Sequence, residues 1–256
     1  MKLTTHLLST TPSALQTATT HPFLRLAGSG RLPKPILAQW LSQDRLYAQS
    51  YVRFIGSLLA KVNLPATPSR DSRAIEEKIL DVLVDALNNI KRELEFFENT
   101  ADEYGLDLGV PPAEFGKGTE AGSGFCAAPV TQSYIDMFMS AASPGVSLVE
   151  GLAVLWATEV CYLKSWRFSA SFLGSSAQGQ GQGQGGDADG GALREKFIPN
   201  WASEEFEKFV GRIGEVLDEA AEGSGGAELV AKCERWWRQV VWLEERFWPD
   251  VGGLDA

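Results

Sequence analysis

The spacing of apolar residues along the chain predicts a structure built from α-helices. Apolar side chains recur at intervals of three and four residues over most of the length, and the strict alternation typical of half-buried strands is nearly absent. Proline and glycine positions set the expected helix ends, including a C-cap glycine at Gly105. The predicted helices run from Pro12 to about Gly28, from Pro35 to about Lys61, from Asp71 or Ser72 to Tyr104, and over 129–142, 147–172, 203–221 and 226–247.

Two segments lack this helical pattern. Residues 106–128 contain Pro111, Pro112 and several glycines, which predicts a loop. Residues 175–191 form a Gly/Gln-rich tract with almost no apolar side chains to bury, which predicts a flexible insertion at the surface. Because the helices on either side of the tract each need packing partners, we interpret residues 1–256 as a single all-α domain.

Three carboxylates fall on helical stripes that otherwise carry apolar side chains. Asp44, Glu159 and Glu244 each lie three or four residues from a Tyr or Trp, so each should project from the buried face of its helix. An unpaired carboxylate in such a place costs several kcal/mol and usually responds with a shifted pKa. We therefore expect the three acids to converge on one shared polar pocket.

Aromatic side chains accompany these acids. Such a pocket suits a flat heteroaromatic ring, neutral or cationic, stacked on aromatic side chains with its polar edge held by carboxylates. Taken singly, the aromatic residues are also ordinary core residues, and Asp44 could serve a polar contact where helices cross. Glu244 adjoins Glu245, and the pattern alone leaves open which of the two faces inward. The aromatic candidates are Tyr47, Tyr51, Tyr134, Tyr162 and Trp201.

Charge and cysteine content narrow the range of partners. The chain has 23 Lys and Arg residues against 33 Asp and Glu, a net charge of -10, and no basic cluster, which disfavours nucleic acid and anionic membranes as partners. Cys126, Cys161 and Cys233 are odd in number and widely spaced, which favours reduced thiols and a cytoplasmic setting. No apolar run is long enough to span a membrane, and the first residues lack the pattern of a secretory signal.

Other common chemistries find little support in the sequence. With only His6 and His21, and no Cys pair at zinc-ligand spacing, we expect no metal site. No Gly-rich phosphate loop follows a strand, and no nucleophile elbow is present. We therefore expect no cofactor.

Six segments, taken in order, resemble the TenA (type II thiaminase) family. They are HPFLRLAGSGRL, WLSQDRLYAQSY, PVTQSYIDMF, SLVEGLAVLWATEVCYLKSW, FIPNWASEEFEKFV and WLEERFW, and the match covers nearly the whole chain apart from the Gly/Gln tract and the 106–128 loop. The resemblance implies a heme-oxygenase-like helical bundle that acts on pyrimidines derived from thiamin. It also implies a homo-oligomer.

The resemblance further implies roles for four residues. Asp44, in the QD motif, matches the residue that binds the aminopyrimidine, and Tyr47 matches the tyrosine three residues later. Tyr134 matches the tyrosine of the family's PTxxYxxY-like segment. Glu244 matches the acid/base glutamate three residues before the terminal Phe-Trp pair, which makes Glu245 its exposed neighbour.

Two positions depart from the best-studied members of that family. Thr158 stands where they carry a nucleophilic cysteine, and Glu159 follows it, which resembles the second subclass with Glu in place of the Cys. Trp201 stands at a family tyrosine position. Cys161 lies three residues after Thr158, so its side chain points roughly 60 degrees away and does not simply replace the nucleophile. Covalent thiaminase chemistry is therefore not expected.

These observations lead to the hypothesis of a hydrolase in thiamin salvage that acts on an aminopyrimidine or formylaminopyrimidine. Glu159 and Glu244 would divide the acid and base roles. One alternative is a protein that binds the same or a related ring without catalysis. Another is a heme-handling protein with His21 as axial ligand, although His21 is also an ordinary candidate for a hydrogen bond at a helix end. The residues expected to hold or stack the ring are Asp44, Tyr47, Tyr51, Tyr134, Tyr162 and Trp201.

Overall fold

Ten α-helices and one π-helical turn make up the regular structure of the described residues, which contain no strand. The computed structural model describes residues 1–67, 73–111, 125–174, 186–224 and 226–254. The predicted all-α class is therefore confirmed, and no helix in these ranges is both long and apolar enough to cross a membrane. The helices are α1 (Leu3–Thr10), α2 (Pro12–Thr19), α3 (Pro22–Gly28), α4 (Lys34–Leu59), α5 (Ile75–Tyr104), α6 (Pro129–Ala141), α7 (Leu148–Ala170), α8 (Ile198–Trp201), α9 (Glu204–Ser224) and α10 (Ala227–Phe247), and the π-helical turn is Leu193–Phe197.

The long helices match their predicted ranges to within a few residues. α5 ends as predicted, because Gly105 adopts a left-handed conformation with φ of 61° and its N–H bonds to the carbonyl of Ala101. The same helix begins at Ile75. Its predicted N-cap, Asp71 or Ser72, lies outside the described residues.

The N-terminal region differs from the prediction. The single helix expected after Pro12 is divided into α2 and α3, because Pro22 keeps the preceding residue out of the helical region of backbone space. That residue, His21, has φ of -58° and ψ of 145°, and its Nδ1 accepts a hydrogen bond from the N–H of Phe23 at 3.2 Å. His21 is thus a helix-end residue. The pattern does not predict α1 or the segment from the π-helical turn through α8, because each is too short to show a clear period.

α7 lies at the centre of the fold. Its sequence is apolar on nearly every side, so it is buried around most of its circumference and packs against α2, α3, α9 and α10. A capping box sets its start: the Ser147 side chain accepts from the N–H of Glu150, and the Glu150 carboxylate accepts from the N–H of Ser147. The helix carries Thr158, Glu159 and Tyr162 into the interior. α4 packs against α5 and α6, and a cavity lies where α4, α5, α7 and the start of α9 meet.

The predicted Gly/Gln-rich insertion falls mostly outside the described residues. Only 186–191 of its range is described, and hydrogen bonds hold this end in place. The N–H of Ala188 donates to the carbonyl of Gly30 at 2.8 Å, and the Asp189 carboxylate accepts from the N–H groups of Gly191 and Leu193. Flexibility therefore remains a prediction for 175–185 alone, and part of the predicted 106–128 loop, 112–124, also lies outside the described ranges.

Gly28 allows α3 to approach α7 closely, and its substitution tests this contact. A Cβ at this position would lie 2.0 Å from the backbone oxygen of Ser169 and 3.1 Å from the Cβ of Phe172. Gly28→Ala must therefore push the two helices apart, and we expect the free energy of unfolding to fall by about 1 to 3 kcal/mol. Urea denaturation measures the change.

Gly211→Ala is the matched control, since nothing lies within 4 Å of the new Cβ on α9. This substitution should raise the free energy of unfolding by about 0.5 to 1 kcal/mol through the helix preference of alanine. Equal effects of the two substitutions would contradict the close contact.

Candidate active site

An inner chamber and an outer cleft form one cavity between α4, α5, α7 and α9. The chamber has a volume of about 30 Å³, which is room for about one water molecule, whereas the cleft has about 450 Å³. Residues that line both spaces form what we call the neck: Tyr51, Ile90, Glu93, Glu159 and Phe206. The residues that line only the chamber are Asp44, Tyr47, Ala48, Thr158 and Tyr162.

Asp44 and Glu159 reach this cavity from different helices, and each pairs with a tyrosine. The Tyr162 hydroxyl donates to Oδ2 of Asp44 at 3.0 Å, and the Tyr51 hydroxyl donates to Glu159. Burial raises the pKa of Asp44 to about 7 and that of Glu159 to about 7, and the tyrosine hydrogen bonds oppose the rise. Near neutral pH, both groups are therefore close to the point where they exchange a proton.

Glu244 lies next to the cavity but does not line it. Its side chain on α10 is 4% exposed, and the Tyr134 hydroxyl donates to its Oε1 at 2.5 Å. Burial raises the pKa of Glu244 to about 8, with Asp44 and Glu159 adding to the rise. Tyr47 lines the chamber, and its ring lies 5.1 Å from that of Tyr134, the residue that donates to Glu244. Burial, followed by the charges of Glu159 and Glu244, raises the pKa of Tyr47 well above its usual range. Of the three acids, the structure thus brings two to the cavity and one behind its wall.

Glu244 and Glu245 face opposite environments. Oε2 of Glu244 is buried and has no hydrogen-bond partner in the described part of the chain. Glu245 is partly exposed and lies 3.3 Å from the guanidinium of Arg246. The inward acid is therefore the one that the family resemblance implies.

The candidate aromatic residues occupy three places. Tyr47, Tyr51 and Tyr162 line the chamber. Trp201 lines the outer cleft, and Tyr134 lines neither space because it is fully buried against Glu244. Tyr134 therefore orients an acid and has no direct access to a ligand in this arrangement.

Glu93 is an acid of the neck that the sequence reasoning missed. Its Oε1 accepts a hydrogen bond from Nε1 of Trp201 at 2.7 Å. Burial raises the pKa of Glu93 well above its usual range, and Asp44 and Glu159 add to the rise. The sequence pattern that indicates Glu93 is the same as for the other acids, a carboxylate on an apolar helical stripe. Glu93 lies three residues after Ile90 and four before Phe97.

No thiol lines the chamber. Thr158 does, and its hydroxyl donates to the carbonyl of Leu155 at 2.9 Å. Cys161 is fully buried and lines neither space, and burial followed by the charge of Glu244 raises its pKa well above the usual range. A neutral, enclosed thiol is a poor nucleophile. The cysteines within the described ranges are all free.

The chamber and the neck contain acids but no Lys or Arg among the described residues that line them. No ion pair in the described ranges includes Asp44, Glu93, Glu159 or Glu244. Nor does any group of three or more His, Cys, Asp or Glu side chains in these ranges have the arrangement of a metal site. His21, the axial ligand of the heme hypothesis, caps α3 and lines neither the chamber nor the cleft. The site is therefore suited to ligands that bring hydrogen-bond donors or a positive charge.

Comparison with known proteins places the chain among TenA-like proteins. The TENA/THI-4/PQQC family model matches residues 10–252. A Fusarium pseudograminearum protein named "Probable transcription factor" is 34% identical over 278 residues, which takes in 98% of this chain but 52% of that protein. The chain thus spans about half the length of that relative.

Two further relatives match over most of their length. A Glycine max protein named "Probable bifunctional TENA-E protein" is 22% identical over 232 residues, or 90% of this chain and 85% of that protein. A TenA homologue of known structure from Pyrococcus furiosus superposes with a TM-score of 0.72 at 23% identity, covering 96% of this chain and 98% of the other. This likeness shows a shared fold.

The raised pKa of Glu244 predicts a pH dependence of stability. Its pKa rises from 4.5 to about 8 on folding, so the folded protein binds more protons than the unfolded chain between these values. The free energy of unfolding should therefore fall as pH rises through this window and level off above it. Glu244→Gln removes one contributor to this pH dependence. Across the window, the free energy of unfolding of the variant should fall by less than that of the wild type, and the difference should be on the order of a few kcal/mol.

Denaturant titrations at several pH values measure this effect. Glu245→Gln is the control, since Glu245 is partly exposed and should leave the dependence intact. If the pH dependence of the free energy of unfolding is the same in Glu244→Gln as in the wild type, or if stability rises with pH, the raised pKa of Glu244 is contradicted.

Proposed function

The chain belongs to the TENA/THI-4/PQQC family, and we propose that it hydrolyses a C–N bond of an aminopyrimidine or formylaminopyrimidine in the salvage of thiamin (vitamin B1). One observation carries this proposal. Asp44 and Glu159, on separate helices, line the same aromatic cavity with no cation beside them. Such a cavity complements a flat ring whose edge bears N–H donors.

The ring would lie in the neck. The chamber has room for about one water molecule, so a pyrimidine must occupy the wider space that adjoins it. There the ring can stack on Tyr51 or Phe206 and direct its amino group towards Asp44. A carboxyl group near its pKa can accept from an amino group and, when protonated, donate to a ring nitrogen. Tyr162 keeps Asp44 oriented for this contact.

Hydrolysis without a thiol requires a base for water and a protonated leaving nitrogen. A water molecule in the chamber would lie beside Glu159, which accepts its proton while the water oxygen bonds to carbon and the C–N bond breaks. Glu244, with its pKa raised to about 8, remains mostly protonated near neutral pH and keeps the leaving nitrogen protonated. Because Glu244 lies behind the wall of the chamber, its proton would reach the leaving nitrogen through the hydroxyl groups of Tyr134, its hydrogen-bond partner, and of Tyr47, whose ring adjoins that of Tyr134.

A second candidate is a protein that binds the same ring without catalysis. The observation in its favour is that no described residue of the chamber wall is a thiol nucleophile. Thr158 lines the wall, and Cys161 is buried away from it. The Fusarium relative is named a probable transcription factor, but that protein is about twice as long as this chain, so its name does not assign a function to the matched half. A net charge of -10 gives no support to nucleic acid as a partner of this chain. A homo-oligomer and a cytoplasmic setting remain predictions.

Two isosteric substitutions test the mechanism. Glu159→Gln removes the base and Glu244→Gln removes the proton donor, and each should lower kcat by about 100-fold or more. The assay follows ammonia or formate released from aminopyrimidine and formylaminopyrimidine by the purified protein.

Glu245→Gln serves as the control, and it should keep full turnover. Full turnover in both active-site variants would remove the proposed mechanism. Calorimetric binding of the ring by wild-type protein, without any product, would instead favour the binding protein.

A further inference from the structure

Glu93 is a half-buried acid that the proposed mechanism leaves without a role. It lies on α5 and lines both the chamber and the cleft. Glu159 lines the same two spaces and is close enough to add to the raised pKa of Glu93, so a ligand bound between the chamber and the cleft lies beside both acids.

The carboxylate of Glu93 is held in one orientation. Nε1 of Trp201 donates to its Oε1 at 2.7 Å. Trp201 is itself wedged between rings, with centroids 4.7 Å from Trp166 and 5.1 Å from Phe197, so its indole cannot swing away. No donor among the described residues reaches Oε2, which leaves this oxygen for a ligand. A carboxylate fixed in this way is preorganised for binding.

The neck has no positive charge of its own. Arg92 and Arg212 line the outer cleft, but Arg92 donates to the side chain of Asn89 and Arg212 pairs with Asp85 at 3.1 Å. Asp44 and Glu159 both repel a negative charge on Glu93. A cationic ligand would offset this repulsion and form a charge-assisted hydrogen bond, whereas an anionic ligand would add to it.

We propose that Glu93 is the specificity-determining residue of this cavity, and that it selects a protonated primary amine on a flat nitrogen heterocycle over neutral or anionic forms of the same ring. The inference rests on the proposed function for the identity of the ring. It adds charge as the property that the protein recognises.

Calorimetry with two matched compounds tests this selection near neutral pH. The aminomethyl and hydroxymethyl forms of the thiamin pyrimidine share one ring and nearly one shape, but only the first carries an ammonium group. Wild-type protein should bind the aminomethyl form more tightly. We take the ratio of the Kd for the hydroxymethyl form to the Kd for the aminomethyl form as the measure of preference. Glu93→Gln should reduce this ratio by about tenfold or more, because the amide still accepts from Trp201 but has no charge. Glu93→Asp keeps the charge and should keep most of the preference.

Glu95→Gln is the matched control, since Glu95 lies on the same helix but is exposed and lines neither the cleft nor the chamber. It should leave the ratio unchanged. Should the glutamine variant fail to fold, a comparison of Glu93→Asn with Glu93→Asp repeats the test.

The outcomes separate this inference from the proposed function. An unchanged ratio in Glu93→Gln overturns charge selection, even if the protein is an active hydrolase. A reduced ratio in a protein that never forms product supports the selection and removes the hydrolase. Wild-type protein that binds neither compound overturns both.

Discussion

The structure depends on four carboxyl groups that lie among aromatic rings, two of them buried and two half-buried, and that form no ion pair with any described residue. Asp44, Glu93, Glu159 and Glu244 come from four different helices, and each receives one hydrogen bond from a tyrosine hydroxyl or the indole of a tryptophan. A neutral donor offsets only part of the cost of removing a carboxylate from water, so the pKa of every one of these acids is raised. Asp44, Glu159 and Glu244 are thus poised to exchange protons near neutral pH, and all four acids favour ligands that supply the missing positive charge.

The surrounding helices hold these groups close to one another despite their mutual repulsion. α7 can sit at the centre because its sequence is apolar on nearly every side, and its small residues let neighbouring helices approach it. Rings pack densely behind the acids: Trp40, Trp166 and Trp201 contact one another at centroid distances of 4.7 to 5.9 Å. This packing holds the indole of Trp201, which in turn orients the carboxylate of Glu93, and such rigidity favours a preorganised electrostatic site.

The division of roles within the site follows from access to the cavity. Glu159 meets both the chamber and the cleft, whereas Glu244 is enclosed behind Tyr47. The two acids differ in their exposure to a ligand, and burial raises the pKa of both, to about 7 for Glu159 and about 8 for Glu244. In the proposed mechanism, Glu159 acts as the base and Glu244 stays protonated. Thr158 lines the chamber and Cys161 is enclosed elsewhere, so the proposed mechanism relies on carboxyl groups.

Helical periodicity in the sequence determined the all-α class, the ends of the long helices and the inward direction of Asp44, because a side chain's direction relative to its own helix axis is a local property. The same rule predicts an inward direction for Glu93, which lies on an apolar stripe, although Glu93 is not among the candidates of the sequence analysis. Only the tertiary structure decided that Trp201 holds Glu93, that Tyr134 lies behind the cavity and that Glu244 stops short of its wall. Distances between groups on different helices depend on how the helices cross and how their side chains interlock, and no local pattern in a single sequence encodes these quantities.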